Sequence, residues 1–204
     1  MGVGDYGEEL FQELCEENSW GAEKIPVSEI RTPDFLVSTQ KGKFIAEVSF
    51  VNREMKYGEA QSIHIGKKIR DKITDKKGQL KNQEFPTLLV LCGSRVDLGL
   101  ESMRAAMYGD WTLSLEKSSG KVVDSFCGKN SYMQEQKNTS ISAIASLTEK
   151  LKNKEDFGKA KPETMPCMTV YHNMYAQKPF SKGFFIENNS LSEYWFQEDE
   201  GMDA

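Results

Sequence analysis

Pro86 opens an apolar strand, Thr87-Leu88-Leu89-Val90-Leu91-Cys92, whose last five residues are the longest unbroken apolar run in the chain. The run is far too short to span a bilayer. It also lacks the alternation of a strand that wets one face. It predicts a central strand buried on both faces, as strands between parallel neighbours are.

The elements around it set the fold class. Leu10, Phe11, Leu14 and Cys15 recur at helical spacing within Glu8 to Glu17. A break follows at Asn18-Ser19-Trp20-Gly21, then a short strand over Asp34–Val37, a polar turn from Ser38 to Gly42 and a strong strand over Lys43–Val51. From Glu59 to Gln83 the pattern is helical, with Ile65, Ile69, Ile73 and Leu80 on one face and Lys76 between the last two. Leu98 to Tyr108 predicts another helix, stopped by Gly109. Weaker strands are expected at 111–115, 122–126, 141–147, 168–171 and 184–186, with an exposed loop over 149–164. This order predicts an α/β fold, a mixed β-sheet flanked by helices.

The chain has 204 residues, enough for one domain and tight for two. The expected division is a single domain over residues 1–190 and an acidic tail over 191–204. With 38% hydrophobic and 10% aromatic residues, a disordered chain is excluded. The four cysteines lie far apart and only two histidines exist, so a zinc site from sequence-local ligands is not expected. The amino terminus has neither the basic nor the apolar block of a signal peptide. The expectation is a cytoplasmic protein with no membrane segment.

The net charge of −5 hides a strong asymmetry. Residues 1–20 hold six acids and no base, as do residues 187–204. Lys67 to Lys81 holds seven bases and two acids, a local +5. Because screening confines each charge to about 8 Å, such a segment attracts a polyanion even on an acidic protein. A solvated helix face accounts for the same run.

One strand carries a chemical anomaly. Phe44, Ala46, Val48 and Phe50 share one face, and Glu47 stands on the other between Ile45 and Ser49. A carboxylate in a core strand needs a base, a metal ion or solvent. A hairpin turn at 38–42 brings Asp34 opposite Glu47, or one pair beyond. Two converging carboxylates suit a hard divalent cation.

Pro33-Asp34, twelve intervening residues and Glu47-Val48-Ser49 resemble the motif of the PD-(D/E)xK, or restriction-endonuclease-like, nuclease superfamily. The order of elements resembles it too: a helix bearing a Glu, a hairpin with the motif, a helix and a buried strand. So does the series Ile69, Lys72, Ile73, Lys76 and Gln79 ahead of Phe85-Pro86, which is similar to uncharacterised bacterial members. The resemblance implies a restriction-endonuclease-like fold and Mg²⁺-dependent hydrolysis of nucleic-acid phosphodiesters, with Mn²⁺ as a substitute. Asp34 and Glu47 would hold the metal with the Val48 carbonyl, and Glu8 would be a third carboxylate, with Glu9 competing for that role.

The motif lysine falls at Ser49. Some members supply it from the following helix, and Lys76 is placed for that role; a side chain that merely covers apolar surface is the competing reading. Gln79 would hold water or a phosphate oxygen. Lys67, Lys68, Lys72 and Lys77 would attract the backbone of a nucleic acid, DNA ahead of RNA. Pairing into a homodimer is left open. Ser49 also supports an alternative, an inactive descendant that binds nucleic acid or protein. The acidic termini support a third, an interaction protein with no nucleic-acid role. His172 is expected to be a hydrogen-bonded structural residue.

Overall fold

The computed structural model describes residues 3–27, 32–51, 65–93, 98–127, 130–153, 155, 157–158 and 162–196. Helix α1 (Val3–Glu17) leads into β1 (Gly21–Lys24), β2 (Phe35–Thr39) and β3 (Gly42–Phe50). Then come α2 (Ile65–Lys76), β4 (Thr87–Cys92), α3 (Leu100–Tyr108) and the hairpin of β5 (Trp111–Leu115) and β6 (Val122–Cys127). The last strands are β7 (Ala143–Leu151), β8 (Thr164–His172) and β9 (Leu191–Trp195). Seven strands form one sheet in the order β1-β2-β3-β4-β7-β8-β9, and β5-β6 stands apart. The β3/β4, β4/β7 and β8/β9 pairs are parallel, and the other pairs of the large sheet are antiparallel. The fold is therefore α/β, a mixed sheet flanked by helices.

Both faces of the sheet are covered, which is why β4 reads as unbroken apolar sequence. Leu88, Val90 and Cys92 face the α1 layer, where Leu10, Phe11, Leu14 and Cys15 pack with Phe35, Val37, Phe44, Ala46 and Val48. Leu89 and Leu91 face the other layer, where Ile69 and Ile73 of α2 meet Met103, Ala106 and Met107 of α3. Each fully buried Leu, Ile or Phe contributes roughly 1.5–3 kcal/mol. Gly7 lets α1 approach closely, since a Cβ there would fall 2.5 Å from the Cys92 Sγ and 3.3 Å from a Val48 methyl. Arg70, almost buried, ties the second layer together by donating to the Ala105 carbonyl and pairing with Asp110 at 3.2 Å. Among the described residues no helix is long and apolar enough to cross a membrane.

The structure departs from the sequence reading mainly at the sheet's edges. Strand β1 falls just after the expected break; its residues are mostly exposed and have no apolar alternation to announce them. Glu149–Leu151 and Thr164, expected in a loop, extend β7 and β8 as a paired ladder. Phe184–Ile186 is a turn, not a strand. Phe184 and Phe185 are adjacent yet both buried around Phe44, which the alternation of a strand forbids. Leu191–Trp195, assigned to the tail, is β9. Its Glu193 is drawn inward because it accepts the Gly183 and Phe185 amides and the Trp195 indole N–H. Residues 197–204 of the tail, and 59–64 of the expected second helix, lie outside the described residues.

His172 corrects another expectation. It is buried, but neither ring nitrogen has a hydrogen-bond partner. The ring instead stacks flat on Trp195, with centroids 3.6 Å apart, and meets Phe180 and Phe185. The Glu193 carboxylate lies 3.7 Å from Nε2, beyond hydrogen-bond range, and is occupied by its three other donors. Burial pushes the His172 pKa from 6.5 down to about 4. The unfolded chain thus binds the extra proton between those values, so stability is full above pH 6.5 and is lost as pH falls through about 4. Urea unfolding across that window should show the decline, and His172→Phe should flatten it. An unchanged slope in the variant would assign the decline to other groups.

Candidate active site

The site forms where β2, β3 and the end of α2 converge. The β2–β3 hairpin turns through two residues, Gln40 and Lys41, and its register pairs Phe35 with Ala46. One step further, Asp34 stands beside Glu47, and the Asp34 amide donates to the Ala46 carbonyl at 3.2 Å. Asp34 turns its carboxylate along β3, where Oδ2 accepts the Val48 N–H at 2.7 Å. It is the Val48 amide, not its carbonyl, that meets Asp34.

Glu47 is completely buried. It lies on the face of β3 that carries Ile45, opposite Leu89 of β4 and beneath α2. Lys76, in the last turn of α2, reaches down between Ile73 and Leu80 and places its Nζ 2.6 Å from Glu47 Oε1. Its side chain keeps 28% of its exposure. Gln79 follows in the turn after α2. Its Nε2 donates both to Glu47 Oε1 and to the Thr32 carbonyl, each at 3.1 Å. That amide therefore locks the residue ahead of the Pro33-Asp34 pair to the buried acid. Glu47 Oε2 has no hydrogen-bond partner, although it too is buried.

The electrostatics follow from this burial. Desolvation raises the Glu47 carboxyl from 4.5 to about 7, against the opposing Lys76 hydrogen bond and with the Asp34 charge adding to the rise. Burial also raises Asp34, opposed by the Val48 amide. The charge of Glu8 raises Asp34 further, whereas Lys76 and Lys24 lower it. Perturbed carboxyls of this kind concentrate at functional sites, though structural ion pairs produce them too.

Glu8 lies on the α1 side and pairs with Lys24 of β1 at 2.7 Å, while its rival Glu9 is exposed. Lys67 and Lys68 are exposed on α2, Lys72 is half-buried there, and Lys77 is half-buried just after its end. Lys72 is one turn before Lys76 on the same helix face. Ser49 is nearly buried further along β3.

Asp34, Glu47, Lys76 and Gln79 thus come together, with Glu8 acting on Asp34 from the other layer. Lys24 and the Thr32 carbonyl belong to the same constellation and carry no sequence signal of their own. Thr32 lies just ahead of the motif, which begins at Pro33, and a lysine in a short exposed strand looks like any surface lysine.

Two hard carboxylates, one with a buried orphan oxygen, form a donor set that fits Mg²⁺. That ion takes one or two protein carboxylates and keeps several waters. Among the described residues there is no group of three or more His, Cys, Asp or Glu able to enclose a metal ion. Comparison with family models, curated proteins and solved structures returned no match to this chain.

Proposed function

We propose that this chain is a metal-dependent nuclease-like protein that hydrolyses nucleic-acid phosphodiester bonds. One observation carries the reading: a completely buried glutamate, beside a second carboxylate, has one oxygen engaged by Lys76 and Gln79 and the other left without a partner. A buried acceptor left unsatisfied costs about 1–3 kcal/mol, more when charged, and such a defect asks for a ligand. The α1-β1-β2-β3-α2-β4 order and the Pro33-Asp34…Glu47-Val48-Ser49 motif support a restriction-endonuclease-like member of the PD-(D/E)xK superfamily.

In this reading Asp34 and Glu47 hold Mg²⁺ or Mn²⁺. A bound ion would supply Lewis-acid chemistry there, activating water and offsetting charge on the scissile phosphate. Lys76 keeps Glu47 Oε1 engaged, and Oε2, without a partner, would remain available to a cation. Its ammonium also supplies the positive charge that Ser49 lacks. Gln79 holds Glu47 against the Thr32 carbonyl and so fixes the distance between the two halves of the motif. The Asp34–Val48 hydrogen bond orients the second carboxylate. Lys67, Lys68, Lys72 and Lys77 attract the nucleic-acid backbone without reading sequence. Three buried free thiols, Cys15, Cys92 and Cys167, suit a reducing compartment such as the cytoplasm.

A second reading rests on the same ion pair. An inactive descendant could use Lys76 to neutralise Glu47 permanently, keeping the fold and binding nucleic acid or protein. Purified protein incubated with Mg²⁺ or Mn²⁺ and single- or double-stranded DNA or RNA decides between them. The expected result is cleavage that EDTA abolishes. No cleavage by the wild type, with cleavage by Ser49→Lys, would establish the inactive descendant instead.

A further inference from the structure

We infer that Lys24 is a substrate-binding residue of this site, held by Glu8 so that it meets a backbone phosphate next to the scissile one. The inference rests on the nuclease reading and adds a subsite to it.

Lys24 ends β1, the edge strand beside β2. Its partner across the ladder is Phe35, whose side chain faces α1, so Lys24 points to the α1 layer. There Glu8 holds its ammonium at 2.7 Å, while 64% of the side chain stays exposed. A free surface lysine sweeps a wide volume; one pinned by a carboxylate is pre-placed and loses less entropy on meeting a ligand. Glu8 is mostly withdrawn from solvent, so the pair presents its cationic half outward.

The charge balance shows why a second cation is needed. Among the described residues, Glu8, Asp34 and Glu47 supply three carboxylates to the cluster and Lys24 and Lys76 two ammoniums, a charge of −1 when all five are ionised. A phosphodiester approaching without metal is repelled. A bound divalent cation turns the cluster to +1, but that charge lies at Asp34 and Glu47. Lys24 and Lys76 stand on opposite sides of the sheet, and both act on Asp34 between them. β1 is two strands from β3, roughly 9–10 Å across the sheet. A lysine at that offset reaches a neighbouring phosphate and not the one being cleaved. Glu8 is then a positioning residue for Lys24, a role different from the third carboxylate expected from the motif.

The test uses the full chain with Ca²⁺ and a fluorescein-labelled duplex DNA oligonucleotide, read by anisotropy at several salt concentrations. Mn²⁺ binding is measured separately by calorimetry. Lys24→Gln should weaken DNA binding about tenfold, the worth of one charge-assisted hydrogen bond. It should also reduce the log–log salt slope by roughly 0.9, one phosphate contact on duplex DNA. Mn²⁺ affinity should stay unchanged, and Lys24→Arg should restore both the affinity and the slope. In cleavage with Mg²⁺ the loss should appear in KM and not in kcat. Glu8→Gln should move KM in the same direction with Mn²⁺ affinity intact. Wild-type DNA binding with an unchanged slope in Lys24→Gln overturns the inference and leaves the nuclease reading standing. A loss of Mn²⁺ affinity in Glu8→Gln overturns it too, by returning Glu8 to the metal. Wild type that binds neither Mn²⁺ nor DNA overturns the nuclease reading and this subsite together.

Discussion

Lys76→Ala should lower Mg²⁺-dependent phosphodiester hydrolysis by about 10²–10³, since removing one aligned group that stabilises transition-state charge costs about 3–4 kcal/mol. Two losses combine. The ammonium is no longer there to meet the developing charge on the phosphate, and Glu47 Oε1 loses its 2.6 Å partner. The fold should survive. Alanine is the best helix former at the last position of α2. The stranded Glu47 carboxyl can take up a proton, because burial already holds its pKa near 7. Steady-state cleavage, with circular dichroism as the fold control, checks this. Full activity in the folded variant would show that Lys76 only covers apolar surface. Ser49→Lys in the wild-type background should add little, because like charges crowd Lys76 there.

Glu47→Gln should do two things at once: abolish metal binding and cleavage, and stabilise the metal-free protein above neutral pH. The second effect reverses the usual sign of a core substitution. In the unfolded chain Glu47 ionises near 4.5, and in the folded protein near 7. Between those values the folded state holds the extra proton, so the contribution is fully present below 4.5 and is lost as pH rises through 7. A shift of this size corresponds to roughly 3 kcal/mol at 1.36 kcal/mol per unit. Glutamine keeps the shape and cannot ionise, and Lys76 remains partly solvated when its partner is neutral. Unfolding should therefore give a more stable variant at about pH 8 and matched proteins at about pH 4. Adding Mn²⁺ should stabilise the wild type, by mass action, and leave the variant unmoved. A variant less stable than wild type at about pH 8 would mark Glu47–Lys76 as a structural ion pair.

Local patterns were enough for the centre of the fold. The apolar run at 87–92 required cover on both faces, and α1 on one side with α2 and α3 on the other provide it. The strand expected at 43–51 and the turn at 38–42 put Asp34 opposite Glu47 or one pair beyond, and the two-residue turn of the structure places them side by side. Side chains alternate with a strict period of two, so the odd polar residue on that strand stood out. The position of Lys76 within the apolar stripe of α2 was likewise legible, because helical spacing is a local property.

The edges and the finer chemistry were decided only by tertiary structure. Strands β1 and β9 lie at the two ends of the large sheet, and their backbone hydrogen bonds come from β2 and β8, residues far away in the chain or beyond a turn. β1 has little apolar surface, and the order Leu-Ser-Glu-Tyr-Trp of β9 does not alternate, so neither has a periodic signature. The buried Phe184-Phe185 pair depends on Phe44, some 140 residues earlier, and reads as a strand until that contact exists. The same holds at the site. Residue types and spacing nominate Asp34, Glu47, Lys76 and Gln79. They do not say that Glu8 spends its charge on Lys24, that Gln79 bridges to Thr32, or that one oxygen of Glu47 is left without a partner. Those are facts of burial and distance between segments that only the packed sheet brings together, and desolvation, the largest cause of the raised Glu47 pKa, exists only once that packing is complete.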